Sequence, residues 1–261
     1  MLLVAIIAVL ACKSLRENGN ESPDCNDTAG LWNVDTPSGL PQTMVDYEGF
    51  TVSFNPELHV PNYVIWELTG EESAADEVSR SGARFTCDSN VEGCANTYDY
   101  RNSGFDRGHM CPAADMKWSQ KAMDDCHMLT NIVPQTHQLN GGPWQTVEKN
   151  CRKWAQRDSA LIIICGPVLT DRLDQRIGDT GVIVPERFFK VVLAPYANPP
   201  RGIAFIMSNY DTTGGAQAAA TTIDNVEEIT GFDFFSSLPD DIEAEVESQA
   251  NYQLWQRLKT R

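Results

Sequence analysis

The chain has 261 residues, 42% of them hydrophobic, with 20 lysines and arginines against 36 aspartates and glutamates, a formal net charge of −16. That length allows one large domain or two small ones around a sizeable core, with no fixed-period repeat and no long low-complexity tract. Taken alone, the charge argues against a nucleic-acid binder, because an acidic surface repels phosphate. The charge is uneven, however. In residues 100–160 eight basic residues face six acidic ones, which leaves +2 there and −18 on the rest of the chain. A locally basic segment suits an enzyme that holds a few phosphates and then releases them; a chance fluctuation of surface charge is the alternative.

The opening MLLVAIIAVLAC is too short an apolar run to span a bilayer. Residues 1–12 read as the core of an export signal, with the protein expected to be secreted, periplasmic or lipid-anchored at the cell surface. Val9-Leu10-Ala11-Cys12 resembles a lipoprotein cleavage box, with Cys12 lipidated; ordinary cleavage nearby and a buried N-terminal element are the alternatives. Residues 13–40, rich in Ser, Asn, Asp, Gly and Pro, read as a flexible tether, and residues 41–261 as one domain.

Phe50, Val52 and Phe54 alternate with polar neighbours and predict a strand over 49–55; residues 62–68 predict a second, with Pro56 and Pro61 punctuating the link. Residues 70–98 are polar and irregular, a long surface excursion of the kind that carries function. Residues 142–157 predict a helix that opens at Pro143 and buries Trp144, Val147, Cys151 and Trp154. Buried strands are expected over 161–165, 188–193 and 203–207. A helix capped by Thr222 and ended by Gly231 should span 222–230, and a last surface helix 240–258. Strands and helices in this irregular order predict an α+β fold with a central, mostly antiparallel sheet flanked by helices.

Eight cysteines are present, and Cys87 and Cys94, flanking a short loop, are the best local pair for a disulfide. Cys165, inside an apolar run, reads equally well as a reduced core residue. No Cys-x-x-Cys pair occurs, which makes a structural zinc site improbable.

The chemistry concentrates in residues 98–155. Phosphodiester hydrolysis needs a base for water, positive charge for the pentavalent phosphorus, and help for the departing oxygen. Asp106-Arg107-Gly108-His109, then Thr130-Asn131, then Leu139-Asn140-Gly141-Gly142-Pro143-Trp144, then Glu148 and Arg152 supply a histidine, a hard oxygen ligand and arginines. Each has a bland alternative: His109 as a surface or core histidine, Asn140 as a turn residue before a helix, Glu148 with Arg152 as a solvated ion pair. Together, in this order and spacing, the bland set is much less persuasive.

DYRNSGFDRGHM and TNIVPQTHQLNGGPWQTVEKNCRKWA resemble the signature of the DNA/RNA non-specific endonuclease family, over roughly residues 45–240. The resemblance implies a ββα-metal core, two strands with His109 at the end of one and a helix after Asn140. It implies a metal-dependent endonuclease cutting DNA and RNA with little regard for sequence. His109 would be the general base, Asn140 the direct ligand of one Mg²⁺ (Mn²⁺ substituting), and Glu148 a ligand through water. Asn131 would be an active-site asparagine, Arg152 a phosphate contact, Arg84 in the long loop a further active-site and substrate arginine, and Arg107 an aid to charge or orientation. His127 and His137 near the motif read as bland. Expected partners are DNA and RNA as substrates, the membrane through a lipidated Cys12, and a second copy of the chain as a homodimer. The competing classes are a degenerate nuclease fold that only binds nucleic acid, which should have lost His109 or Asn140, and a zinc hydrolase, which lacks His-Glu-x-x-His spacing.

Overall fold

The computed structural model describes residues 31–257. The expected signal of residues 1–12, with Cys12, lies outside them. So does most of the expected tether, but residues 31–40 do not behave as one. Leu31, Trp32, Val34 and Leu40 are partly buried against a core cluster, and β1 (Val34–Asp35) pairs antiparallel with β13 (Asp233–Phe234). Two large apolar side chains within two positions are enough to pin this stretch, despite its polar composition.

The body is a seven-stranded antiparallel sheet. It contains β2 (Thr43–Tyr47), β3 (Phe50–Asn55), β4 (Val60–Thr69), β7 (Ala160–Pro167), β10 (Arg187–Ala194), β11 (Arg201–Ser208) and β12 (Ala220–Thr221). Their spatial order is β12-β11-β10-β7-β4-β3-β2, so the expected α+β architecture with a mostly antiparallel central sheet is found. Both faces are covered, which is why the central strands read as continuous apolar runs. In β7, Leu161, Ile163 and Cys165 enter one core; Ile162 and Ile164 enter the other. Phe188 and Val192 against Phe189, Val191 and Leu193 divide β10 in the same way, as the two-residue period of a strand requires.

On the first face lie α1 (Gly70–Ala74), β5 (Asp106–His109), α2 (Gln120–Asp125), β6 (Ile132–Gln135), α3 (His137–Leu139) and α4 (Gln145–Asp158). The short hairpin β8 (Arg176–Ile177) with β9 (Val182–Ile183) follows β7. The second face is covered by α6 (Ile223–Thr230) and α7 (Asp240–Glu247), while α5 (Gly215–Ala219) precedes β12 and α8 (Tyr252–Arg257) returns Trp255 to the first core. Thr222 and Gly231 cap α6 as expected. The expected 240–258 helix is instead two helices, and it is not wholly a surface element: Val246 and Trp255 are buried.

The 142–157 helix also begins later than expected. Residues 140–144 form a wide turn, with Gly142 at φ −108° and ψ −117°, before regular α4 starts at Gln145. Cys87 and Cys94 are neighbours, the Cys87 thiol lying 3.7 Å from the Cys94 carbonyl oxygen, but both are free thiols rather than the expected disulfide. Cys165 is a buried free thiol, and it donates to the Met110 carbonyl at 3.3 Å.

Candidate active site

Two short strands and a helix build the site. β5 and β6 pair antiparallel, with Asp106 opposite Gln135 and His109 opposite Ile132. Gly108 is required here by close approach. A methyl group on it would lie 2.3 Å from the Gln135 Oε1 atom. After β6, Thr136 turns the chain: its amide donates to Asn209 Oδ1 at 2.8 Å, and its hydroxyl caps Leu139 N at 3.3 Å. Trp144, fully buried, donates from Nε1 to the His109 carbonyl at 3.3 Å. The end of β5 is thereby tied to the start of α4.

His109 is 8% exposed. Its ring lies against Phe85 and His127, at centroid distances of 5.3 and 4.9 Å. Nε2 is buried with no hydrogen-bond partner among the described residues. Burial first, then the nearby His127 and Arg80, hold its pKa well below the ordinary histidine value. The imidazole is therefore neutral at neutral pH, the state a base requires.

Ligand atoms of His109, Cys126 and His127 fall within 4.8 Å of one another, a cluster that sequence spacing could not disclose. Cys126 and His127 are already engaged: the Cys126 thiol and His127 Nδ1 both meet the Met123 carbonyl, at 3.1 and 2.8 Å. Burial pushes the Cys126 thiol up to about 12. The pair forms a neutral wall beside the His109 ring.

Asn140 stands at the C-terminal end of α3. Its Nδ2 donates to Asp106 Oδ2 at 2.9 Å, and His137 Nδ1 meets the same oxygen at 2.9 Å. Asp106 thus fixes which way the amide points and leaves the Asn140 carbonyl oxygen available as a hard ligand. One face of α4 carries the other charges. Arg152 Nη1 donates to Asp115 Oδ1 at 2.7 Å, and the buried Asp115 also accepts from Trp66 Nε1 at 3.2 Å. The Glu148 carboxyl is half-buried and pushed up to about 7 by burial, with Lys190 and Arg152 pulling the other way.

Lys190, 1% exposed on β10, lies 4.2 Å from the Trp144 ring centroid and 5.0 Å from that of Trp66. Burial opposes its charge, yet Cys165, Glu148, Cys151 and Asp115 around it raise its pKa above the ordinary lysine value.

Among the residues expected from sequence, His109, Asn140, Glu148 and Arg152 are displayed from the β5–β6–α4 unit. Arg107 is half-buried, and its Nε has no hydrogen-bond partner among the described residues. Its guanidinium stacks on Phe85 and Tyr100, at 5.2 and 5.7 Å, and donates to the Thr97 carbonyl at 2.8 Å. Orientation, one of the two roles expected of it, is the one its contacts support. Asn131 is engaged more completely. It is fully buried; its Oδ1 accepts from Cys111 N, and its Nδ2 donates to the Cys111 and Cys126 carbonyls, all at 2.8–2.9 Å. With both ends of the amide committed to backbone, it positions the chain beyond His109. Arg84 is exposed and joined to Phe85, so its loop reaches His109. Sequence reasoning missed Arg80, four residues earlier, whose charge reaches His109 and His127; the available signal was a second arginine in the same loop. It also missed Asp115 and Lys190, for which local sequence offers no signal. A cavity of about 440 Å³ lined by Tyr98, Arg101 and Arg176, among others, includes none of these site residues.

A family model for DNA/RNA non-specific endonucleases matches residues 27–241. The chain is similar to the human mitochondrial endonuclease G, 34% identical over 161 residues, covering 56% of this chain and 52% of that protein. It is similar to the mitochondrial nuclease of Saccharomyces cerevisiae, 30% identical over 249 residues, covering 84% of this chain and 75% of that one. The chain thus spans about half the length of the human relative and three quarters of the yeast one. A solved chain in a crystal structure of an EndoG/EndoGI complex superposes with a TM-score of 0.74 at 25% identity, covering 88% of this chain and 99% of that chain. These relatives correct one expectation. The human and yeast proteins, like the mouse nuclease EXOG, are mitochondrial by name, which overturns the expectation of a secreted or cell-surface protein.

Proposed function

Because this chain belongs to the DNA/RNA non-specific endonuclease family, we propose that it hydrolyses phosphodiester bonds within DNA and RNA without reading sequence. One observation carries the reading furthest. A buried, neutral histidine ends β5, and Asp106, at the other end of the same strand, orients the amide of Asn140. His109 takes the proton from the attacking water, and its apolar setting against Phe85 keeps it unprotonated until then. Arg152, held by Asp115, offers its remaining donors to a phosphate, and Arg84 and Arg80 add exposed positive charge from the 70–98 loop.

The donor set fits a hard divalent cation. Asn140 has a neutral oxygen directed by Asp106, and Glu148 has a carboxylate suited to hold bound water. We assign Mg²⁺, with Mn²⁺ as a substitute. Such an ion supplies Lewis-acid stabilisation of the charge that develops on the phosphate and the leaving oxygen. Phosphate is common to DNA and RNA, so these residues need no base contacts. A purely binding protein would be expected to have lost His109 or Asn140, and both are present.

The decisive experiment is plasmid nicking and RNA cleavage under metal titration, with His109→Ala as the paired variant. Cleavage of both polymers that requires Mg²⁺ and disappears in the variant is expected. A well-folded variant with near-normal turnover, or full activity in excess chelator, overturns the assignment.

A further inference from the structure

The 27 residues 222–248 contain nine carboxylates and no lysine or arginine. They form α6, β13 and α7 on the sheet face that does not carry β5, β6 and α4. Most of these carboxylates are solvated at the surface, but three converge. Oxygens of Asp224, in the first turn of α6, of Glu227, one turn on, and of Glu247, the last residue of α7, lie within 4.8 Å of one another.

Glu247 is the informative member. It is 7% exposed, and its Oε1 is buried without any hydrogen-bond partner among the described residues. An unpartnered buried carboxylate oxygen is costly. Its place at a helix C-terminus adds to that, because the helix dipole repels negative charge there. Burial first, then the charges of Glu227, Glu243, Asp224 and Asp233, push its pKa up to about 8. Glu227 uses Oε1 to accept from Phe234 N at 2.7 Å, which leaves its second oxygen free.

We propose that Asp224, Glu227 and Glu247 hold one calcium ion, which fastens α6 to α7 on this face. The donors select the ion. Ca²⁺ takes several carboxylate oxygens directly in a flexible sphere, whereas Mg²⁺ keeps several waters and is held through one or two carboxylates. The three oxygens already lie within 4.8 Å of one another, close enough for one ion to meet all three. Three carboxylates also match calcium's preference for charged oxygen, and the exposed side of Asp224 leaves room for water to complete the sphere.

The test is thermal unfolding of the full chain at neutral pH, first in EDTA and then in millimolar calcium, with Glu247→Gln and Asp224→Asn. Asn140→Ala is included so that binding at the catalytic centre is separated from binding here. Calcium should raise Tm by about 4 °C in the wild type and in Asn140→Ala alike. The rise should vanish in Glu247→Gln and Asp224→Asn. Glu247→Gln removes a buried charge and keeps the shape, so it folds in EDTA and remains a valid comparison. Calorimetric titration of wild type and Asn140→Ala should give one calcium per chain. If the carboxylates are neutralised by shared protons instead, Tm will follow pH and ignore calcium. That result, or an equal calcium response in wild type and Glu247→Gln, overturns the proposal.

Discussion

At the scale of single residues, the behaviour of His109 follows from where its ring is buried. A base held below the ordinary histidine pKa stays unprotonated as the solution becomes mildly acidic. Activity at saturating Mg²⁺ should therefore remain flat through pH 6.5, the ordinary value, and fall only below it; an acidic limb centred at or above that value contradicts the assignment. His109→Ala should cost about 10²–10⁴-fold in turnover while leaving Tm near that of the wild type. Asp106 makes a distinct prediction. Its carboxylate fixes the Asn140 amide and meets His137. Asp106→Ala should raise the Mg²⁺ concentration needed for half-maximal rate several-fold, with the rate at saturating metal much less affected. Loss of the saturated rate with an unchanged metal requirement would place Asp106 in the chemistry instead.

At the scale of elements, β5 and β6 stay in register through a contact that involves one missing side chain. Gly108→Ala would drive a methyl group into Gln135 Oε1, Cδ and Cγ, at 2.3–2.5 Å. Gln135 is fully buried and has little space to retreat. Overpacking of this kind costs about 1–3 kcal/mol, and the strand that carries His109 would shift. A lower Tm and weaker cleavage are expected, with partial recovery in Gly108→Ala combined with Gln135→Ala. Failure of the double variant to recover anything would mean that Gly108 serves some need other than space.

The elements were also where the sequence was most legible. Alternation marked β3, continuous apolar runs marked β4, β7, β10 and β11, and Thr222 with Gly231 marked the ends of α6. The capping box that opens α1, Thr69 with Glu72, was written in the sequence and overlooked. Other features could not be found locally. Asp115 acquires its meaning from Arg152 and Trp66, and Lys190 from Trp66 and Trp144, partners 37–124 positions away in the chain. Asn131 sat in the right motif, but its three backbone partners, visible only in the fold, make it a clamp.

Across the whole molecule, charges buried near the sheet have to balance. Lys190 is the cation among Asp115, Glu148 and two buried thiols. Lys190→Met keeps the volume but leaves those carboxylates without it. Breaking a buried charge set of this kind costs about 3–5 kcal/mol, so a large fall in Tm is expected, and an unchanged Tm would show the set to be wetter than its burial suggests. Salt tests the outer charges. The phosphate contacts proposed for Arg80, Arg84 and Arg152 would weaken as salt rises, while repulsion from the rest of an acidic chain is screened over about 10 Å at 0.1 M. The opposed effects predict a shallow dependence of cleavage rate on NaCl, and a steep monotonic fall would show that local contacts dominate.

The sheet itself has a consequence for how the protein would meet the nucleic acid proposed as its substrate. It separates a front bearing Arg80, Arg84 and Arg152 from a back whose residues 222–248 hold nine carboxylates and no lysine or arginine, so the negative charge is unevenly spread. A long polyanion nearby exerts a torque on such a body before any contact forms, turning the back away and the front inward. On the proposed function, encounters would thereby be biased toward the front, and after a cut the repulsion felt by the back would help the two ends depart.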